Sequence, residues 1–595
     1  MPATKVNRFG GMVPAIDPTM LPDQAAAYAE NTWLYTGVLD AIPKPTLLRS
    51  CSLTETGKVF RIPNNYTDAT HLLDAIWMEF THPDTDVIRA PITDDSYDRY
   101  YWVSPLDVPR YNTRARIAAN NTAWKLGVSV PSVAPGVTPA GGSGATVSRA
   151  YVYTWVTAYG EEGPPSPPTV VSGFVNATWN LTLTAPTAAD MGTDRNITKT
   201  RIYRTVTSSS GVATYFFVAE ITAATTAYGD TNTDTLVSAN NQLESTSWSG
   251  PPSDLVGWVT MSNGMIAGWR NNEVWFCEPY RPHAWPAEYS LAVDYPIVGL
   301  GVNGQTLVIC TQGYPYTLTG VHPSSVTQSR LTNFEPCTSR GSILSTPEGV
   351  YYGSPNGLVI VTNGSANIVT RDICTKDKWN QLVNISTMRA ARLGTDYFTF
   401  GAARNGVFDE NAFNVADNVF ESSDYTGAYT GVYIDNTNTH IAFNLIHNEL
   451  PCINLMNDAW SGELLIIRDN KVYWVNIADT KPIREVYKWR SKKFQGGSAF
   501  NISVCRVYFD VPEGTPNLSV TPNTALVQTL ANDQYGLIRA YADDRLVLTR
   551  ELRTSGEIIR LPSGFKADYW QFEFEARVRI KSFQLGSSIK ELRKV

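Results

Sequence analysis

Short runs of alternating apolar and polar residues, broken by glycine-centred turns, fill most of this chain. The pattern is densest between 254 and 370. There Ser262-Asn263-Gly264, Val302-Asn303-Gly304, Pro355-Asn356-Gly357 and Thr362-Asn363-Gly364 separate apolar stretches, and Arg404-Asn405-Gly406 follows just beyond. Ile297-Val298-Gly299-Leu300 precedes the second of these turns and Thr306-Leu307-Val308-Ile309-Cys310 follows it. Asn-Gly supplies the two positive-φ positions a type I′ turn needs, so each pair predicts a β-hairpin. The pairs stand at 263, 303, 356 and 405, and these steps match four-stranded propeller blades of ~40–50 residues. Arg270-Asn271-Asn272-Glu273-Val274-Trp275 is echoed by Arg468-Asp469-Asn470-Lys471-Val472-Tyr473-Trp474, a separation that four such steps span. The spacing predicts a β-propeller, with an all-β sandwich of evenly spaced turns as the alternative.

Residues 1–50 read as an N-terminal arm. Within it, Leu21 to Asn31 begins with Pro22 and Asp23 and continues through alanines, which predicts a short helix. Trp33 to Leu39 reads as strand, turn, strand. Residues 51–130 carry the first propeller strands, including Leu72 to Phe80 and Arg99 to Val103. The Pro/Gly/Ser/Ala-rich stretch 131–145 reads as a linker. It leads into 146–245, a fibronectin type III-like insertion with Trp155 early, Arg201-Ile202-Tyr203-Arg204 in the middle and Tyr228 late. Such an insertion should be peripheral with its own core, so its replacement by a short linker should leave the rest folded. Residues 250–487 hold the main blades. Past a compositional seam from Tyr487 to Phe494, residues 488–595 read as a separate C-terminal β-sandwich. The fold class is all-β and multi-domain.

Composition agrees with this and narrows the function. Tyr 30, Trp 16 and Phe 21 favour strands, Gly 42 and Pro 36 imply many turns, and charged residues are only 17%. A length of 595 residues calls for several cores. The net charge of −7, with Lys and Arg dispersed except at 488–493, argues against a nucleic-acid clamp. No membrane-spanning run and no apolar signal core stand in the sequence. Seven cysteines (51, 277, 310, 337, 374, 452, 505) form neither a disulfide framework nor a zinc pattern. They suit a reducing cytoplasm, with Cys310 and Cys505 as core residues.

The sequence assigns no catalytic, cofactor-binding or metal-binding residue. Gly299-Leu300-Gly301-Val302-Asn303-Gly304 matches G-x-G-x-x-G, but Gly304 opens a strand where a dinucleotide site needs a helix. Glu278-Pro279-Tyr280-Arg281-Pro282-His283-Ala284-Trp285-Pro286 gathers a carboxylate, an arginine, a histidine and aromatics in a stiff loop. Glu278 and His283 could serve as acid and base, yet no nucleophile motif stands nearby. The competing reading is a blade-closing loop with Arg281 and Glu278 paired and His283 hydrogen-bonded. The other histidines (71, 82, 322, 440, 447) lack metal spacing, although His440 and His447 flank a strand. Asp94-Asp95 and Asp543-Asp544 sit in turn contexts.

The order of parts resembles the tail nozzle, or tail tubular, proteins of short-tailed bacteriophages over nearly the whole chain. The residues that carry the resemblance are the Phe9-Gly10-Gly11 arm, the Leu21 to Leu39 stretch, Gly160-Glu161-Glu162-Gly163-Pro164-Pro165-Ser166, the loop at 278–286 and the closing Trp489 to Phe494 segment. The resemblance implies a virion structural protein without enzyme activity or cofactor, assembled in the host cytoplasm. It implies a hexameric ring below the connector, contacts to the connector or adaptor and to tail fibres or spikes, and a channel that DNA transits without specific binding. A neutral or acidic channel wall is expected, since a basic lining would retard DNA. An extracellular or virion adhesion protein that binds receptor or carbohydrate, and a propeller hydrolase with converging carboxylates, are the alternatives.

Overall fold

The computed structural model describes residues 3–34, 36–66, 72–206, 214–362, 364–394, 396–401, 413–414, 419–420, 429–435, 442–448, 452–476, 484–510 and 536–593. Among them, six four-stranded antiparallel arrays succeed one another around a ring. Blade 1 is Asp86–Arg89, Arg99–Ser104, Asp107–Thr113 and Trp124–Lys125. Blade 2 is Gly257–Thr260, Ile266–Arg270, Glu273–Phe276 and Ser290–Ala292, and blade 3 is Ile297–Asn303, Thr306–Thr311, Tyr316–Thr319 and Thr327–Arg330. Blade 4 is Leu344–Ser345, Val350–Ser354, Gly357–Thr362 and Ser365–Ile368; blade 5 is Arg389–Leu393, Asp396–Gly401, Tyr429–Asp435 and Ala442–Asn448. Blade 6 takes Asn454–Asn457, Leu464–Arg468 and Lys471–Val475 from late in the chain and its outer strand, Thr46–Ser50, from the start. A hairpin of Lys58–Pro63 and Ala75–Phe80 wedges between blades 6 and 1.

The apolar runs follow from this stacking. A strand buried on both faces sends successive side chains into two different cores. Leu307 and Ile309 pack toward blade 2, while Val308 and Cys310 pack toward blade 4. Likewise Leu464 and Ile466 face blade 5, and Leu465 and Ile467 face the hairpin through Val59. Each such side chain contributes about 1.5–3 kcal/mol on burial. The echo of 270–275 at 468–474 is confirmed, since each copy joins the second and third strands of its blade.

The Asn-Gly reading needs correction in its mechanism. Hairpins do turn at 263–264, 303–304 and 356–357, but only the glycines have positive φ there. The first two link strands one and two of their blades, whereas 356–357 links strands two and three, so the turn spacing only approximates the repeat. Paired left-handed residues occur instead at Asp469-Asn470 (φ 48° and 50°) and Asp543-Asp544 (φ 47° and 62°). Aspartate and asparagine tolerate this region through local hydrogen bonding. Asn363 and Arg404-Asn405-Gly406 lie outside the described residues.

The N-terminal arm is neither an arm nor helical. Ala26–Glu30 is a strand paired with Tyr487–Ser491, and Thr4–Val6 pairs with Arg579–Gly586. Helix propensity at Ala25 to Ala29 is overridden because Ala26 and Ala29 are fully buried against a sheet that requires small residues there. The strand-turn-strand at 32–41 is present, with Gly37 at φ 76°. The C-terminal sandwich is therefore not separate. One of its sheets holds Ala26–Glu30, Tyr487–Ser491, Ala567–Ala576, Gly536–Ala542 and Arg545–Glu551, and it continues through Glu30↔Leu445 into blade 5. The other holds Thr4–Val6, Arg579–Gly586, Val504–Asp510 and Ile558–Arg560. Asp40 cements the joint, bonded to Arg484 and Arg579, each at 2.7 Å.

The insertion begins inside the expected linker, because Gly136–Ala140 pairs with Thr178–Thr182. With Ala227–Asp230 these form one sheet; Thr169–Phe174, Thr146–Thr157, Ile197–Thr205 and Tyr215–Thr222 form the other. Its own core contains Tyr151, Tyr153, Trp155, Trp179 and Ile202. Arg204 is fully buried there and is held by Asp230 at 2.9 Å and Asp234 at 2.7 Å.

Phe9 is buried edge-on against Trp489, with ring centroids 5.1 Å apart, and touches Phe583. Phe9→Ala should lower stability by about 3–5 kcal/mol. Denaturant unfolding of the full chain measures this, and a change below about 1 kcal/mol would restore the arm to a peripheral role.

Candidate functional site

Two polar concentrations stand out, one at the joint between the insertion and blades 1 and 2, the other in the bore of the propeller. At the joint, the turn at 159–163 enters the blade 1–blade 2 core. Tyr159 packs on Tyr97 at 4.6 Å and on Trp124 at 5.8 Å. The adjacent carboxylates point opposite ways. Glu161 reaches into the propeller and meets Arg99 at 2.7 Å. Glu162 turns back into the insertion, to Arg201 at 2.7 Å, Tyr203 at 2.7 Å and Thr154 at 2.6 Å. Arg99 also holds Asp95 through two contacts, at 2.9 and 3.1 Å.

Burial pushes the Glu161 carboxyl up despite Arg99. At Asp95 burial acts upward too, but the Arg99 side chain and amide outweigh it and hold the group below its usual range. The two carboxylates therefore act oppositely on stability. Glu161 favours the fold while protonated, a contribution lost as pH rises through its raised folded value. Asp95 favours the fold once ionised, a contribution lost as pH falls through its lowered value.

The loop at 278–286 closes blade 2 and faces the same joint. Trp285 is buried, its amide donating to the Ser249 carbonyl at 2.7 Å and its indole N–H to the Pro282 carbonyl at 2.8 Å. Arg281 pairs with Glu244 at 3.2 Å and lies over Trp248, so the expected Arg281–Glu278 pairing is not formed. Glu278 lies 3.8 Å from His322. His283 is buried, edge-on to Trp248 at 6.0 Å. Burial, and then the charges of Arg281 and Arg99, push it down to about 3, against a backbone hydrogen bond at Glu162. The structure thus does not join Glu278 and His283 as an acid–base couple. Gly299 to Asn303 is strand, with a turn at Gly304 and no helix behind it.

His71 and His440 lie outside the described residues, as does the His447 side chain. Among the described residues no group of three metal-ligating side chains forms. No helix of the described residues is long and apolar enough to cross a membrane. All seven cysteines are free and, apart from half-buried Cys51, buried.

The bore is a cavity of about 780 Å³ whose wall includes Lys58, Asp84, Asp86, Arg340, Arg389 and Arg392. Arg340 meets Asp86 at 2.5 Å, donates to the Val256 carbonyl at 3.1 Å and lies over Trp269 at 4.6 Å. Asp86 also accepts from the Trp258 amide at 2.8 Å. A Cβ at Gly257 would collide with Arg340, Trp269 and Asp86, so only glycine admits this pair. Arg389 binds Asp84 directly. Burial would raise the Asp84 carboxyl, but Arg389 and Arg340 outweigh it and lower it.

The basic segment at 488–493 is largely neutralised. Arg490 meets Glu573 at 2.6 Å, Lys492 meets Asp23 at 2.9 Å, and Lys493 meets Asp544 at 2.8 Å.

No family model matches this chain, and no curated protein does. Among solved structures, BBS1N in complex with ARL6DN aligns over 66% of this chain and 91% of its own, at 10% identity and a TM-score of 0.25. The N-terminal domain of Nup159 aligns over 46% and 85%, at 10% identity and a TM-score of 0.21. The extracellular domain of a putative one-component system, BT4673 from B. thetaiotaomicron, aligns over 51% and 41%, at 12% identity and a TM-score of 0.21. Superpositions this partial carry no weight, and the propeller assignment rests on strand order and shared cores.

Removing one partner of a buried ion pair leaves an uncompensated charge, at a cost of about 3–5 kcal/mol. Arg99→Met should incur this, and the double variant Arg99→Met with Glu161→Met should recover much of it. Additive losses in a double-mutant cycle would show that the two do not couple. Replacing 136–245 by a short Gly/Ser linker should likewise destabilise the remainder, contrary to what a peripheral module would do. The loss should shrink when Arg99→Met is also present, and equal melting of deleted and intact chains would refute the coupling.

Proposed function

We propose that this chain is a non-enzymatic structural subunit of a phage tail nozzle or hub. In this reading it forms a ring of six below the connector, carries surfaces for the connector and for tail fibres or spikes, and encloses a channel for DNA ejection in the virion. One observation carries the reading. The motifs that resemble the nozzle family lie at joints between the parts. Phe9 and Trp489 pack together, Asp40 beside the Leu21 to Leu39 stretch ties the start of the chain to Arg484 and Arg579, and Glu161 joins the insertion to blade 1. Trp285 of the 278–286 loop stacks near Trp258 in the same joint. The residues that carry the resemblance are thus spent on fixing one part of the chain against another.

A multi-domain body of this kind suits heterologous contacts, which close into a ring when the rotation allows. Negative-stain images and light scattering of the purified protein should give sixfold rings. Monomers or twofold dimers only, with and without the connector, would overturn the proposal, and carbohydrate binding by monomers would favour the adhesion alternative. Because acidic partners occupy Arg490, Lys492 and Lys493, filter binding at low salt should show little affinity for duplex DNA. Tight binding abolished by Lys492→Ala and Lys493→Ala would contradict passage without capture.

A further inference from the structure

The bore of the propeller holds more positive charge than its own structure uses. Its wall carries Lys58, Arg340, Arg389 and Arg392 against Asp84, Asp86 and Glu463. Arg340 and Arg389 are each matched by an aspartate. Glu463 is engaged by the Trp474 indole N–H at 3.2 Å. Two cations remain. No hydrogen bond or ion pair reaches the Lys58 ammonium among the described residues, and the Arg392 Nε is buried without a partner among them.

Both residues line the same cavity, on segments whose backbone is tied to the innermost strand of blade 6. Asn454 donates to the carbonyls of Gly57 at 2.9 Å and Pro83 at 3.0 Å, which fixes the backbone next to Lys58 on one side of that strand. On the other side Asn457 accepts from the Arg392 amide and donates to the Arg392 carbonyl, both at 2.8 Å. Lys58 is half-exposed within the bore yet deep in the protein. Burial, opposed by Asp86 and reinforced by Arg340 and Arg389, holds its ammonium below the usual lysine range. A cation in that position is unfavourable for the empty protein, because its charge is desolvated without direct compensation.

We propose that the bore is a binding site for a small oxyanion of the phosphate class, held between the Lys58 ammonium and the Arg392 guanidinium. A guanidinium presents a planar fork to two oxygens, and an ammonium supplies a compact charge to a third. Ligand cavities commonly measure ~300–1,000 Å³, and a bore of about 780 Å³ admits inorganic phosphate or a modest phosphate ester. The Arg340–Asp86 and Arg389–Asp84 pairs stiffen the same cavity, so the site exists before the anion enters. The site is lined by residues of one chain.

The test titrates the full-length protein with inorganic phosphate, and with chloride at matched ionic strength, following the melting temperature and the heat of binding. Phosphate should produce a saturable rise in melting temperature beyond that of chloride, with one site per chain. Lys58→Met and Arg392→Met should each abolish the phosphate-specific rise. Both should leave the phosphate-free melting temperature unchanged or higher, since they remove a charge that the empty bore does not compensate. Absence of a phosphate-specific rise in the parent protein would overturn the proposal. So would a rise that persists in both variants, or a phosphate-free melting temperature that falls in both, which would make the cations structural.

Discussion

Closure of the ring depends on a buried ion pair between residues far apart in sequence. Arg61, on the hairpin wedged beside blade 6, meets Asp458 through two contacts at 2.9 and 2.6 Å, and both side chains are essentially inaccessible to solvent. Burial alone would push the Asp458 carboxyl up. The Arg61 hydrogen bond and the Ser461 amide and hydroxyl outweigh that effect and hold it below the usual range. Two desolvated charges stabilise a structure only when their geometry and remaining hydrogen bonds are good. Here Ser461 donates through both amide and hydroxyl, and the Trp460 indole donates to the Arg61 carbonyl at 2.8 Å. Beside this pair, Thr46–Ser50 adds the fourth strand to blade 6, so the start of the chain completes its last blade.

The same logic recurs wherever two parts meet. Asp40 fixes the N-terminal segment to Arg484 and Arg579; Arg99 fixes blade 1 to Glu161; Arg204 locks the insertion internally. Charged residues are scarce in this chain, and many are consumed at such joints. A buried arginine fork specifies orientation as well as attraction. The result is a body in which propeller, insertion and terminal sandwich are tied to one another by buried ion pairs.

Much of this was legible in the sequence, and the failures have a common cause. Alternation and turn residues located the hairpins, the blade-like period and the 270/468 equivalence, because these are local features. The left-handed pairs fell on Asp469-Asn470 and Asp543-Asp544, since strand register and not the Asn-Gly dipeptide sets which residues turn. Ala26–Glu30 carries helical propensity but lies between distant strands that only the folded chain supplies. Thr46–Ser50 and Gly136–Ala140 were hidden for the same reason, each pairing far along the sequence. The joint chemistry was half visible. Gly160-Glu161-Glu162-Gly163 is conspicuous in a charge-poor chain, yet nothing local indicates that its carboxylates face opposite ways. The excess cations of the bore, Lys58 and Arg392, come from two separate stretches and carried no sequence signal.

The first fifty residues, the blades and the C-terminal sandwich form one interlocked body. Amide hydrogen exchange on the full-length protein tests it most directly, because protection reports local opening free energy residue by residue. Thr4–Val6, Ala26–Glu30 and Thr46–Ser50 should exchange as slowly as their partners Arg579–Gly586, Tyr487–Ser491 and Lys471–Val475. Rapid exchange throughout the N-terminal strands, with their partners still protected, would contradict it.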